Sequence, residues 1–211
     1  MLSFEQVTLI IDPKSIFTNI SMTFLPSSIV YLQGANGCGK TSLLRIVASI
    51  QNPTSGNVLY RSLNCKYLKK PYCNYIGHNP GLKSQITVLE HLKFWSTIYD
   101  SLETLESSIY CFKLHNILHE KCYRLSAGNQ KKIALAKLIA CQSNLWLLDE
   151  IEANLDQENK ELLYNLMISK ANNGGVILAT SHSNIDIKSA QIINLEDYQF
   201  LKAEEYELKK Q

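Results

Sequence analysis

The eight residues Gly34-Ala35-Asn36-Gly37-Cys38-Gly39-Lys40-Thr41 constrain this chain more than any other stretch. They follow the spacing G-x-x-x-x-G-K-T. Glycines at these places let the backbone curl until successive N–H groups point into one concavity of phosphate size, with the start of a helix behind it. Lys40 can then reach the β- and γ-phosphates of a nucleotide, and the Thr41 hydroxyl can bind Mg²⁺. A Gly-rich turn without a ligand is the plainer reading, and the flanks argue against it. Ile29-Val30-Tyr31-Leu32 precedes the loop as a buried strand would, and Ser42-Leu43-Leu44-Arg45-Ile46-Val47 follows with helical spacing. The expected nucleotide contacts are therefore Gly34 through Ser42. Cys38 occupies a freely variable position, where a small residue fits the turn.

Composition narrows the class further. A chain of 211 residues with 45% hydrophobic residues suits one α/β domain with a small insertion. A net charge of +2 gives no electrostatic case for nucleic acid. The six cysteines form no Cys-x-x-Cys pair and no zinc pattern, which points to a reducing compartment. The first residues, Met-Leu-Ser-Phe-Glu-Gln, do not read as a signal peptide, and no segment is long and apolar enough to span a bilayer. The expectation is a chain that cannot cross a membrane alone but can dock on a protein that does.

Along the chain, residues 2–10 and 16–25 read as strands around a turn at Asp12-Pro13. Asn52-Pro53-Thr54-Ser55-Gly56 is a turn cluster, with a strand at 57–61 after it. Residues 62–74 are poorly periodic. Tyr75-Ile76-Gly77 is a short buried strand. A helical pattern runs from Thr87 to about His119 and opens with Thr87-Val-Leu-Glu90, a capping-box signature. Ser126 to Cys141 and 157–172 are helical, and Gly174-Gly175 ends the second of these. Leu145 to Leu148 and Val176 to Thr180 are buried strands. Alternating strands and helices imply a largely parallel sheet with helices on both faces. Residues Glu196 to Gln211 are charged and expected to be peripheral.

Two further motifs carry chemistry. Leu145-Trp-Leu-Leu-Asp149-Glu150 sets two carboxylates at the C-terminal edge of a buried strand, where α/β sheets bind ligands. Asp149 is placed to hold Mg²⁺ through water, and Glu150 to orient or deprotonate an attacking water. In Leu125-Ser126-Ala127-Gly128-Asn129-Gln130, Ser126 can cap the helix that follows and leave its positive end facing outward.

This last motif resembles the Leu-Ser-Gly-Gly-Gln signature of ABC-type ATPases, with Ala127 for Gly and Asn129 for Gln, and it stands at the family's distance before the Asp-Glu pair. The resemblance covers nearly the whole chain. It implies a P-loop NTPase of the RecA-like α/β class, with a mostly parallel sheet, an antiparallel β portion and an inserted helical subdomain. Residues 1–78 and 124–211 would form the catalytic part, and 79–123 the helical part. Two copies would bind head to tail around two ATP molecules. Each site would then join the phosphate loop of one copy to Ser126 and Gly128 of the other. Ala153-Asn154-Leu155-Asp156 resembles the family's D-loop, with Asp156 facing the partner copy. His182 resembles the switch histidine at the γ-phosphate and joins Glu150 and Lys40 as a catalytic candidate. The metal set is Thr41, Asp149 and His78.

Three departures from the family stand out. His78 occupies the place of the Q-loop glutamine. Its single nitrogen lone pair suits Mg²⁺ poorly, so it is expected to act through water or to sense the γ-phosphate. The aromatic residue that stacks on adenine falls near Ile10 or Ile11, with Phe17 the nearest ring. Ile151 replaces the proline after the Asp-Glu pair. The run Gly77-His-Asn-Pro-Gly-Leu-Lys83 is similar to one branch, the ATP-binding subunit of the haem-exporter-type complex of cytochrome c maturation. That branch implies a peripheral subunit on the cytoplasmic side of the inner membrane, with integral membrane permease partners. Haem would be handled only indirectly, in its release from a membrane-bound chaperone. A subunit of another ABC transporter, for lipid or lipoprotein, and a soluble ABC ATPase are the alternative readings.

Overall fold

The computed structural model describes residues 1–11, 14–69, 71–153, 155–181 and 187–198. The Asp12-Pro13 turn, Asn154 and His182 lie outside them. Its framework is a five-stranded, wholly parallel sheet of β3 (Ser28–Gln33), β6 (Asn74–Ile76), β7 (Leu145–Asp149), β8 (Val176–Thr180) and β9 (Gln191–Asn194), in the order β6-β7-β8-β3-β9. A second, antiparallel sheet holds β1 (Leu2–Ile11), β2 (Lys14–Phe24), β4 (Ser55–Tyr60) and β5 (Leu63–Asn64) in the order β2-β1-β4-β5.

The continuous apolar runs of β3, β7 and β8 follow from burial on both faces. Tyr31, Trp146, Leu148, Ile177 and Ala179 point to one core, shared with α2 (Val88–Ile98), α3 (Leu105–Cys111), α4 (Ala127–Ala140) and α5 (Gln157–Asn172). Val30, Leu32, Leu145, Leu147 and Leu178 point to the other, shared with α1 (Lys40–Val47) and the antiparallel sheet. The second face thus carries one helix and a β layer, where the sequence pattern suggests helices on both sides.

Local signals set the helix ends. Thr87 and Glu90 form the expected capping box: the Glu90 N–H donates to Thr87 Oγ1 (3.2 Å) and the Thr87 N–H to Glu90 Oε2 (2.8 Å). Gly174, at φ 80°, closes α5, and the Gly175 N–H donates to Lys170 O at 2.9 Å. The single helical stretch expected from Thr87 to His119 is broken. Asp100 turns left-handed at φ 51°, and the buried Ser101 hydroxyl donates to Ala140 O at 2.8 Å, tying the chain to the end of α4 instead of continuing the helix. α2 and α3 both pack on α4. One further expectation changes. Residues 62–74 contain β5 and a 3-10 turn, Cys65–Tyr67. Of the charged tail expected from Glu196 to Gln211, Glu196 and Asp197 are exposed as expected, though the Glu196 carboxylate also meets the Ala35 N–H, and residues 199–211 lie outside the described ones. No disulfide forms among the described residues, which include all six cysteines.

His91 is buried on α2, with its ring edge-on to Trp95. Burial, with Lys137 and Lys83 nearby, lowers its pKa to about 4. The unfolded chain, titrating near the ordinary histidine value of about 6.5, binds the proton first. Between the two values the folded state carries fewer protons, so stability falls as pH drops through that window, by at most about 1.4 kcal/mol per unit. Urea unfolding from pH 7 to pH 4.5 should show this slope, and His91→Leu should flatten it.

Candidate active site

The loop after β3 is built as its glycines require. Gly34, Gly37 and Gly39 have φ of 135°, 81° and 104°. Gly39 is also pressed against β2: a Cβ there would lie 2.5 Å from Ile16 Cγ2 and 2.9 Å from Phe17 Cδ1. Ala35, Asn36 and Gly37 form the exposed tip, while Cys38 is buried. α1 starts at Lys40 with no acidic residue in its first turn and no side-chain cap, which leaves its leading N–H groups for an anion. Ser42 lies in that first turn. Lys40 is 5% exposed, and its ammonium spans the loop and donates to Gly34 O (2.6 Å) and Ala35 O (3.1 Å).

The carboxylate pair meets this loop at the sheet edge. Asp149 pairs with Thr180 across β7 and β8. Asp149 Oδ1 accepts from Thr180 Oγ1 (3.0 Å) and from Thr41 Oγ1 (3.1 Å). The Thr180 hydroxyl in turn accepts from the Glu150 N–H at 2.8 Å. Glu150 itself is left-handed, at φ 53°. For a residue with a Cβ this costs about 1–3 kcal/mol, and it persists only where neighbours fix it. Its Oε2 lies 3.5 Å from His78 Nδ1, on the segment after β6; His78 is 67% exposed and Glu150 29%. Of the three metal candidates, the structure joins Thr41 and Asp149 and sets His78 beside Glu150.

Tyr75 completes the wall. Burial raises its phenol above the ordinary range, the Asp149 carboxylate adds to this, and Arg45 opposes it. A cleft of about 720 Å³ opens here, lined by Thr41, Arg45, Tyr75, His78, Asp149 and Glu150. A cavity of about 730 Å³ lies at the opposite end of β7, beneath Trp146 and Lys170, away from these groups. The oxygen pair of Thr41 and Asp149 suits Mg²⁺, a hard cation that binds through few protein ligands and keeps water and phosphate as the rest.

Other candidates stand apart. Ser126 caps α4, its Oγ accepting from the Asn129 N–H at 3.3 Å. Ser126 and Gly128 are exposed, and a Cβ on Gly128 would meet nothing within 4 Å. Asp156 caps α5, accepting from the Asn159 N–H (2.8 Å) and Asn159 Nδ2 (2.7 Å). These bonds, the backbone one first, hold its carboxyl below the ordinary range. Phe17 is fully buried against the phosphate loop and cannot stack on a base.

Two site residues escape motif reading. One is Thr180, which looks like the last residue of an apolar strand. The other is Glu196, whose Oε1 accepts from the Ala35 N–H at 2.9 Å. A hydroxyl ending a strand beside Asp149-Glu150 is the signal for the first. The second has none, because it lies in the short 3-10 turn Leu195–Tyr198 that follows β9, among charged and exposed residues.

The sequence profile of the ABC transporter family matches residues 17–153, the stretch from β2 through the carboxylate pair. The chain belongs to the ABC transporter family. Within that family it groups with proteins named cytochrome c biogenesis ATP-binding export protein. The Rickettsia bellii protein of that name is 59% identical over 92% of this chain and 100% of its own. The Wolbachia pipientis one is 33% identical over 88% and 91%. Among solved structures, an ABC transporter ATP-binding protein from Pyrococcus furiosus matches at TM-score 0.81 and 20% identity, over 94% of this chain and 99% of that one. A dimeric ATP-binding cassette bound to ADP and Pi matches at TM-score 0.77 and 18% identity, over 87% and 88%. At these identities the structures speak for the shared fold.

Thr180→Val tests the hydroxyl that links Asp149 to the Glu150 backbone. Removing it from a buried pair should cost about 1–3 kcal/mol in urea unfolding, and Thr180→Ser should recover most of that.

Proposed function

We propose that the chain is the ATP-hydrolysing, energy-coupling subunit of a membrane ABC complex for c-type cytochrome maturation. The observation that carries this is the convergence of Lys40, Thr41, Asp149 and Glu150 on one sheet edge. The high-identity relatives, named for ATP binding and cytochrome c biogenesis, support the biological assignment.

In this reading the triphosphate lies along the N–H groups from Gly37 to Ser42. Lys40 exchanges its contacts with Gly34 O and Ala35 O for the β- and γ-phosphate oxygens. Thr41 and Asp149 hold Mg²⁺, which when bound neutralises phosphate charge. Glu150 takes a proton from water as its oxygen attacks the γ-phosphorus. The bond from that phosphorus to the bridging oxygen breaks, and ADP and phosphate leave. His182 contacts the γ-phosphate, and His78 senses the state of the site through Glu150.

Two copies close head to tail, with Ser126 and Gly128 of each against the nucleotide of the other. The open space at Gly128 and the outward-facing start of α4 suit a close approach. Asp156 faces the partner copy. The assembly sits peripherally on the cytoplasmic side of the inner membrane; no helix among the described residues is long and apolar enough to cross one. An apolar groove lined by Ile50, Trp95, Ile98 and Tyr99 joins the active cleft through Tyr75 and Lys137, and it suits a cytoplasmic segment of a membrane-spanning subunit. Haem is handled by that complex, not by this chain.

Glu150→Gln should leave ATP binding intact and cut hydrolysis by roughly 10²–10⁴, the scale of a lost acid–base group. Near-normal turnover in the purified complex would remove Glu150 from the water-activating role.

Ser126→Arg should fail differently. The variant should bind ATP as a monomer yet not form the ATP-dependent dimer, and mixed dimers should lose one composite site. Full-rate hydrolysis that is independent of protein concentration would refute the shared site.

A further inference from the structure

A second carboxylate holds the loop after β7, and the reaction above does not use it. Glu152 is 4% exposed. Its Oε1 accepts from the Tyr31 hydroxyl (2.5 Å), and its Oε2 from Ser181 Oγ (3.0 Å) and the Tyr164 hydroxyl (3.3 Å). Each donor comes from a different part of the fold. Tyr31 is on β3, which runs into the phosphate loop; Ser181 directly follows Thr180; Tyr164 is on α5. A buried carboxylate is costly unless donors meet it, and bonds to a charged acceptor are among the stronger ones. Burial, reinforced by the Glu152 charge, raises the Tyr31 phenol far above its ordinary range, which keeps it a donor.

The geometry around Glu150 gives this cluster its meaning. Thr180 and Ser181 are consecutive, and each grips the same loop. Thr180 takes the Glu150 N–H at 2.8 Å, and Ser181 bonds the Glu152 carboxylate at 3.0 Å. Between these two points Glu150 holds its left-handed backbone, at φ 53°. The loop then turns through the Ala153 N–H to Glu150 O (3.2 Å) and the Leu155 N–H to Glu152 O (3.2 Å). One clamp point alone leaves the following residues free to rotate Glu150 back toward an ordinary conformation.

We propose that Glu152 is a positioning residue: its buried carboxylate, gripped by Tyr31, Ser181 and Tyr164, holds Glu150 in the orientation that activates water. This rests on the reading of the site as an ATP-hydrolysing centre.

The test uses the full chain in complex with its membrane subunits. Ser181→Ala and Tyr31→Phe each remove one donor and leave the carboxylate in place; Glu152→Gln keeps the shape and removes the charge. Each should lower kcat by roughly 10–10²-fold, the scale of a small misplacement of a reacting group. Affinity for ATP should stay within about twofold, since the loss falls on the chemical step. In a Glu150→Gln background the same substitutions should lower kcat no further, because they act through the missing carboxylate. A role confined to stability would instead give losses that multiply. Hydrogen exchange across residues 149–153 should quicken in all three variants, and this readout needs no activity. Should Glu152→Gln fail to fold, the two donor variants decide. Unchanged exchange, losses in ATP affinity, or multiplying losses would overturn the proposal. A wild-type complex without ATP hydrolysis would overturn the reading of function, and exchange would still judge the clamp.

Discussion

The Asp149 carboxylate, taking hydroxyl hydrogen bonds from Thr41 on α1 and Thr180 on β8, is the contact on which the site depends. It joins the phosphate loop to the middle of the parallel sheet. Its geometry is not adjustable in small steps. Asp149 faces Thr180 because Leu145 through Leu148 pair in register with Val176 through Ala179, and all of these are buried. A slip of one residue would turn every side chain to the opposite face and exchange two differently shaped cores. The catalytic edge therefore inherits its register from packing well below it.

Burial on both faces also explains where the cleft lies. The α2–α5 layer covers one face, and α1 with the antiparallel sheet covers the other. The active cleft opens where β6 and β7 end, between α1 and the segment that leads to α2. His78 stands on that segment with its ring near Glu150, and Tyr75 stands one layer below with Asp149 and Arg45 as neighbours.

Much of the site was legible because the chemistry sits in contiguous motifs. A curled phosphate loop needs glycines at set places, so Gly34 to Thr41 announces itself. An apolar strand that ends in Asp149-Glu150 does the same. Capping follows local rules, and the roles of Thr87 and Ser126 and the stop at Gly174 emerge as read. The residues that escaped are those whose partners lie far along the chain. Glu196 meets Ala35, Thr180 meets Asp149, and Glu152 meets Tyr31 and Ser181. Nothing local distinguishes Glu152 from a solvent-facing glutamate in a turn. Phe17, read as the nearest ring for a base, turns out to be packing that holds Gly39. The break in the long helical pattern after α2 depends on Ser101 finding the end of α4.

The sequence by itself determined the class of chemistry: an anion-binding loop, a carboxylate pair, a capped signature helix and the alternation of strands and helices. These are written in short-range spacing, because backbone curl, capping and strand burial act over a few residues. The tertiary structure alone decided which groups share an atom. It placed β9 beside β3, brought Glu196 to the phosphate loop and buried a carboxylate among three hydroxyls behind Glu150. Such contacts depend on sheet order and on the packing of two cores. Those are properties of the whole chain, since each long-range pairing is settled by apolar surface buried elsewhere in the molecule.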